Sequence, residues 1–481
     1  MTSDPKTTRL AALDHAHAWH PFTPMRQWRE TEPVIIDSAE GDELIDTNGN
    51  RYIDGVSSLW CNMHGHRVPE IDQAVRDQLD RVAHSTMLGL ASTPSIELAA
   101  RLVRAAKSLN NARQQRDLPP RAPLNKVFYS DAGATATELA IKMAVGYQHH
   151  SGRPQRKAII AFSGAYHGDT VGAMSVGYSE TFHRPFESLT FRTVFAPAPD
   201  VTNAPEARET DWPWHDKSLR KTVRDRCLKQ LDAVLDEHAD SIAAVMIEPL
   251  VQGAAGIVTH PEGFLAGVAQ RCETRHIPLI ADEVAVGFCR TGTLFACEQE
   301  GVVPDILCLA KGISAGYLPL AATLCTDEIE QAFCGEIWEH KTLYHGHTYT
   351  GNPLGCAAAL ANLDLIEKRD TCANARRHAE TMATALDDLR EHPNVGDVRQ
   401  RGVMVGIDLV ASRRPRTAFD HRARIGHAVC TAARAKGLII RPLGDTVILN
   451  PMPGMKADTL KKMMKIVIET IRGFDFAALA S

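Results

Sequence analysis

The chain has 481 residues, of which 44% are apolar and 23% charged. These are ordinary globular values at a length that needs more than one core, and they exclude a disordered, collagenous or acidic-tail protein. Lysine and arginine number 53 against 58 aspartates and glutamates, a formal charge of −5, which argues against a nucleic-acid binder with its basic excess.

The N-terminus, MTSDPKTTRLAALDHAHAWHPF, lacks an apolar stretch after a basic start, so no secretory signal is expected. No apolar run reaches the roughly 18 residues of a membrane helix. Eleven cysteines are scattered singly without a CxxC. They are expected to be isolated thiols in a reducing cytoplasm.

Residues 1–65 are rich in turns and aromatics. Asn48-Gly49 predicts a hairpin turn within VIIDSAEGDELIDTNGNRYIDG. From about residue 66, helix-like stretches such as 70–82 and 95–106 alternate with short apolar runs. The runs are KVFYS (126–130), KAIIAF (157–162), IAAVMIE (242–248), IPLIAD (277–282), DILCLA (305–310) and LAATLC (320–325). Such runs between helices predict an α/β fold around a mostly parallel sheet buried on both faces. Residues 108–125 and 198–216 read as surface insertions. The basic residues of 101–126 read as a solvated helix face and loop. After about residue 365 come a long helix in two parts (357–369 and 372–391), the hairpin VGDVRQRGVMVGIDLV and a helix over 421–435. The strands LIIRPLG and TVILN and a last helix over 456–474 complete the chain.

There is no GxxxxGK[ST], no HExxH and no GxGxxG after a strand. Two HGH triplets, 64–66 and 345–347, lack a carboxylate or cysteine at matching spacing, so no metal site is expected. Two strand ends are more informative. Asp282 closes IPLIAD and Lys311 follows DILCLA, and in a parallel sheet ligands bind beyond the carboxyl ends of the strands. Taken alone, each is as well read as a solvated cap. The small-residue turn Asp131–Thr135 opens a helix, where free backbone N–H groups suit an anion. Tyr166 follows the strand KAIIAF and offers either a stacking face or a surface ring. Anion turn, aromatic, acid and lysine together are the parts that pyridoxal phosphate needs. Its phosphate wants a helix N-terminus and its ring a flat neighbour. Its pyridine nitrogen wants a carboxylate and its aldehyde a lysine.

At these residues the chain resembles the class III, ω-amino-acid type, pyridoxal-phosphate aminotransferases of fold type I. The resemblance runs from His20 to about Phe474 and rests on LIADEVAVGFCRTGTLFACE, LAKGISAGYLPLAA and HGHTYTGNPLGCAAAL. It implies a large cofactor-binding domain over 66–365 with a mostly parallel sheet. It also implies a small α/β domain over 366–481, joined by residues 1–65, and a homodimer with shared active sites. In the catalytic set it implies, Lys311 is the Schiff-base lysine and proton carrier, Asp282 pairs with the pyridine nitrogen, and Tyr166 stacks on the ring and borders the substrate. Gly133 and Ala134, the latter where many relatives have serine, would hold the phosphate. His347 and Thr348 would reach the phosphate of a partner subunit, with Gly346 beside the substrate there.

WHPFTPM, DGVSSLWCNMHGH, MIEPLVQGAAG, DILCLAKG and RPLGD are similar to the biotin-pathway members of the class. Those aminate 8-amino-7-oxononanoate to 7,8-diaminononanoate, with ping-pong kinetics through pyridoxamine phosphate. This narrower resemblance implies that Arg441 grips the substrate carboxylate and that Phe22, Leu59 and Trp60 wall an apolar groove. Phe22 and Leu59 stand where members using S-adenosylmethionine carry Tyr and Trp. Both are similar to a subgroup that takes its amino group from lysine, so the donor is left as one or the other. Alternatives on the same scaffold are a transaminase for 4-aminobutyrate, ornithine or β-alanine, an aminomutase or decarboxylase, and a silent cofactor binder. The expected partners are small molecules, with neither nucleic acid nor membrane.

Overall fold

The fold is seen in a computed structural model that describes residues 4–177 and 179–480. The short apolar runs are buried on both faces because helices cover both sides of the sheet they build. Seven strands lie in the order Leu124–Ser130, Ala321–Thr326, Ile306–Leu309, Leu279–Asp282, Ile242–Ile247, Ala158–Phe162 and Val194–Ala196. Neighbours pair in parallel except around Ala321–Thr326, which is antiparallel to both flanking strands. The six predicted runs all become strands, and the edge strand Val194–Ala196 joins them. Every residue of Ile242–Ile247 is buried. Helix Gly133–His150 covers one face through a core cluster that includes Leu139, Ile141 and Met143. Helix Thr93–Gln114 packs Leu98, Leu102 and Leu109 into the other cluster.

The N-terminal turn signal marks a three-stranded unit rather than one hairpin: Ile36–Glu40, Glu43–Asp46 and Arg51–Asp54. Asp46 Oδ1 accepts from the N–H groups of Asn48 and Asn50 at 2.9 and 2.8 Å, so the side chain shapes the turn itself. Arg51–Asp54 then pairs in parallel with Leu438–Ile439, which brings the two ends of the chain into one sheet. A second, antiparallel sheet holds Val395–Arg401, Met404–Leu409, Thr446–Leu449 and Arg441–Leu443.

Four expectations change. LIIRPLG is not one strand: it breaks at Ile440, with Leu438–Ile439 in the N-terminal sheet and Arg441–Leu443 in the other. After that switch of sheets Arg441 lines the same cavity as Asp282 and Lys311. Residues 198–216 are not a surface insertion, because Val201, Ala207 and Trp212 are buried. Asp397 Oδ2 accepts from Thr202 Oγ1 and Trp214 N–H, both at 2.9 Å, which clips the segment to the second sheet. The basic residues of 101–126 divide: Arg104, Lys107 and Arg116 are exposed as expected, while Arg101, Arg113, Arg121 and Lys126 form ion pairs. Arg121 meets Glu273 at 2.8 Å and Asp305 at 3.1 Å, and Arg101 meets Glu367 at 2.8 Å. Finally, the cysteines are not all isolated. Cys289 and Cys372 form a disulfide across 83 residues, while the other nine cysteines carry none. The left-handed backbone of Phe288 and Cys289 turns that thiol toward helix Thr371–Leu386, a meeting that no sequence spacing announces. Among the described residues no helix is long and apolar enough to cross a membrane.

Candidate active site

Five strands that run in one direction end on a single cavity of about 490 Å3. Asp282 is the last residue of its strand, and Lys311 stands two residues past Leu309. Glu248 follows Ile247, Tyr166 lies four residues past Phe162, and Gly133 opens the helix after Ser130. The sheet therefore gathers residues far apart in sequence at the crevice where such folds bind ligands. Lys311, Asp282, Tyr166, Gly133 and Ala134 all line the cavity, as do Phe22, Leu59, Trp60 and Arg441.

The inner end is a buried cluster of charge. His167 Nδ1 donates to Asp282 Oδ2 at 2.7 Å, and the Val284 N–H donates to Asp282 Oδ1 at 3.0 Å. Burial pushes the His167 imidazole down, but the bond to Asp282 and its charge outweigh this and hold it above its ordinary value. Glu248 accepts from the N–H groups of Tyr166 at 3.1 Å and Gly253 at 2.9 Å. Burial raises its carboxyl to about 7. Lys311 is held below its ordinary value by burial, opposed by the charges of Asp282 and Glu248. A lysine so lowered exchanges protons more readily near neutral pH. Its backbone is left-handed, with φ of 46°, and its Nζ lies 5.8 Å from the centroid of the Trp60 ring.

The walls come from elsewhere. The Tyr166 hydroxyl donates to Asp169 Oδ2 at 2.7 Å, and its ring lies near parallel to that of His183 at 6.4 Å. Trp60 is 7% exposed, whereas Phe22 and Leu59 at the mouth are 62% and 51% exposed. Phe22 meets Phe182 edge to face at 5.6 Å. Arg441 lines the cavity half-buried, with no carboxylate within ion-pair distance among the described residues. Burial holds its guanidinium below the usual value.

The residues present fit pyridoxal phosphate. Gly133 and Ala134 are the first two of helix Gly133–His150, so their N–H groups have no carbonyl four residues back and are disposed to bind an anion. Gly168, at φ of 120°, lets the Tyr166 turn press on that cup: a Cβ there would meet the Ala134 Cβ at 2.3 Å. Asp282 accepts two protein donors and keeps lone pairs for another. His167 Nε2 is buried without a partner among the described residues.

Gly346, His347 and Thr348 do not line this cavity. They lie in the segment 340–350, where Gly346 and Thr348 are exposed. His347 Nδ1 stands 3.6 Å from Asp131 Oδ2. Tyr344 and Tyr349 of the same segment, with Ile337 and Trp338 just before it, are exposed aromatic and aliphatic surface. The sequence reading missed His167, Asp169, Phe182, Glu248 and Leu443 as cavity residues. Glu248 carries the same signal as Asp282, an acid closing an apolar strand run, and His167 adjoins Tyr166. Phe182 and Leu443 carry no such mark.

Comparison with known proteins agrees with this geometry. The profile of the family described as Aminotransferase class-III matches residues 25–471. The chain is 50% identical over 471 residues to a protein of Nitratidesulfovibrio vulgaris (strain Hildenborough) named adenosylmethionine-8-amino-7-oxononanoate aminotransferase, covering 97% of this chain and 82% of that one. A crystal structure of the identically named protein of Methanocaldococcus jannaschii superposes with a TM-score of 0.87 at 40% identity, covering 98% of this chain and all (100%) of that one. An omega transaminase from Pseudomonas jessenii, solved in complex with PMP, superposes with a TM-score of 0.88 at 27% identity, over 96% and 98% of the two chains.

Proposed function

The chain belongs to the class-III aminotransferases, and from that membership we propose that it aminates 8-amino-7-oxononanoate to 7,8-diaminononanoate, a step of biotin synthesis. The observation that carries this is Arg441, a half-buried cation with no acid partner among the described residues, which lines the same cavity as Lys311. A long aliphatic acceptor with a carboxylate at its far end suits that arrangement: the guanidinium takes the carboxylate in a two-bond fork, and Trp60, Leu59 and Phe22 cover the chain between.

Class-III aminotransferases depend on pyridoxal phosphate, which when bound supplies the aldehyde that takes up the amino group and a ring that stabilises charge at the reacting carbon. Gly133 and Ala134 would hold its phosphate, Tyr166 its ring face, Asp282 its pyridine nitrogen and Lys311 its aldehyde. Lys311 Nζ moves the proton at the reacting carbon, and its lowered proton affinity suits that exchange near neutral pH. His167 donates to Asp282 and so orients that carboxylate. Trp60 shields the Lys311 nitrogen from water. Donor and acceptor use the pocket in turn, which gives ping-pong kinetics.

The donor in this reading is S-adenosylmethionine, as in the names of the relatives. The Phe22–Phe182 pair at the mouth offers an aromatic edge to an adenine. Lysine is the second reading. It is favoured by Phe22 itself, whose ring has no hydroxyl, and by Leu59 where an indole would close the mouth. Adding each donor alone to the yellow protein decides between them: the one that bleaches the cofactor band is the donor. If neither does but 4-aminobutyrate does, the acceptor assignment falls too.

The reading includes a homodimer with shared sites, supported by the exposure of Gly346 and Thr348 in the segment 340–350. His347 and Thr348 have no place in their own cavity and are available to the phosphate of a partner subunit, with Gly346 beside its substrate. Sedimentation of the purified protein tests this. A cytoplasmic location is part of the reading, supported by the nine cysteines without disulfides and opposed by the Cys289–Cys372 bond.

A further inference from the structure

Of the three carboxyls that line the cavity, Asp169, Glu248 and Asp282, the transamination reading leaves the placement of Glu248 unexplained. Glu248 is 5% exposed and lines the cavity. Among the described residues it has no cation within ion-pair distance, and its oxygens accept only from two backbone N–H groups. A buried carboxyl with neutral donors alone is a costly choice where an amide or apolar group would be cheaper. Buried acids kept at such expense in a cleft mark functional sites.

What Glu248 holds is specific. Oε1 takes the N–H of Tyr166 and so fixes the turn that carries the stacking ring. Oε2 takes the N–H of Gly253. Gly253 is the floor beneath Trp60: a Cβ there would lie 2.8 Å from the indole, so the position of this backbone decides how deeply Trp60 can lie over Lys311. Gln252 Nε2 donates to Ser163 O at 3.0 Å and ties the same two loops a second time. The charged groups acting on Glu248 are His167 and Asp282, and Glu248 in turn acts on Lys311 and Tyr166.

We infer that Glu248 is a positioning residue for the reaction: one carboxyl that sets both aromatic walls, Tyr166 and Trp60, and supplies negative charge facing Lys311. Its charge favours the protonated lysine nitrogen, and its two bonds set the width of the groove between the walls. This rests on the cavity being the aminotransferase site, and its test does not need the identity of the acceptor.

The test compares Glu248→Gln, Glu248→Asp and Gly253→Ala. In Glu248→Gln the charge is lost and the amide can accept only one of the two N–H groups. The pH midpoint of the bound cofactor's absorbance change then falls by about half a unit, a threefold change in proton affinity. Equilibrium dialysis shows the cofactor-free protein binding pyridoxal phosphate about tenfold more weakly, the size of one lost hydrogen bond to a charged group. Glu248→Asp keeps the charge but shortens the reach, so KM rises while the midpoint stays. Gly253→Ala displaces Trp60 and also raises KM without moving the midpoint. A Glu248→Gln protein that loses only thermal stability, with midpoint and cofactor affinity unmoved, overturns the proposal. If that variant does not fold, Glu248→Asp decides, and a wild-type KM there overturns it. An error in the acceptor assignment would show separately, as a wild-type protein that does not turn over 8-amino-7-oxononanoate.

Discussion

The inner and outer ends of the cavity are built on different supports. At the inner end Asp282, Glu248 and His167 stand at or just past buried strand ends and hydrogen-bond to one another's loops. At the outer end Phe22 comes from the N-terminal segment, Leu59 from a turn, Phe182 from a short helix and Arg441 from the second sheet. Two of those outer side chains are more than half exposed. The backbone through Ser57, Ser58 and Trp60 is left-handed. The turn is held by Arg290, which donates to Ser57 Oγ at 3.1 Å and to the Asn62 carbonyl at 2.9 Å. In the proposed reading the sheet fixes the groups that move protons, while loops and a strand of another sheet supply the groups that choose the substrate. Changing the inner end should cost rate, and changing the outer end should cost selectivity.

The largest effect belongs to Lys311. Lys311→Ala removes the proton carrier, and kcat should fall about 10^4-fold in single-turnover assays while the protein still folds. Activity near the wild-type level would break the division outright. Arg441→Ala should raise KM for the acceptor about 100-fold, the worth of a two-bond charged pair, with the donor half-reaction unchanged. A fall in the donor half-reaction as well would show that the outer end also shapes the chemistry.

Behind the inner end, Glu283 is fully buried and accepts from the N–H groups of Ala296 at 2.7 Å and Cys297 at 2.8 Å. Burial raises its carboxyl from 4.5 to about 7. The folded chain therefore binds this proton more tightly than the unfolded chain. Its contribution to stability is full below 4.5 and is lost as pH rises through about 7, at most on the order of 3 kcal/mol. Urea titrations from pH 5 to 8 should show this fall, and Glu283→Gln should flatten it. The smallest effects lie at the mouth. Phe22→Tyr with Leu59→Trp should shift the ratio of kcat/KM between S-adenosylmethionine and lysine about tenfold toward the former. An unchanged ratio would remove these positions from donor choice.

Sequence patterning reached the two ends unequally. Apolar runs closed by Asp282 and Lys311 marked strand ends, and strand ends in a parallel sheet converge, so the inner end could be read from the chain. Glu248 carries the same mark, an acid closing an apolar run, but local patterning does not separate it from a solvated cap. The outer end depends on contacts between distant segments. The break of LIIRPLG at Ile440, which aims Arg441, arises because two sheets compete for one apolar run, and local patterning shows the run without the competitors. The Cys289–Cys372 bond and the burial of Trp212 are likewise products of packing between distant parts. Gly346, His347 and Thr348 lie outside the cavity of their own chain, and the proposed second copy beside them is not something local patterning displays.

The central claim is that the outer end selects a long amino-oxo acid anchored at Arg441. The most direct measurement is kcat/KM for 8-amino-7-oxononanoate against a short ω-oxo acid such as succinate semialdehyde, with product identified by mass. The account predicts at least about a 100-fold preference for the long acceptor, as expected when a buried cation and an apolar groove must both be satisfied. An equal or greater kcat/KM for the short acceptor would contradict it.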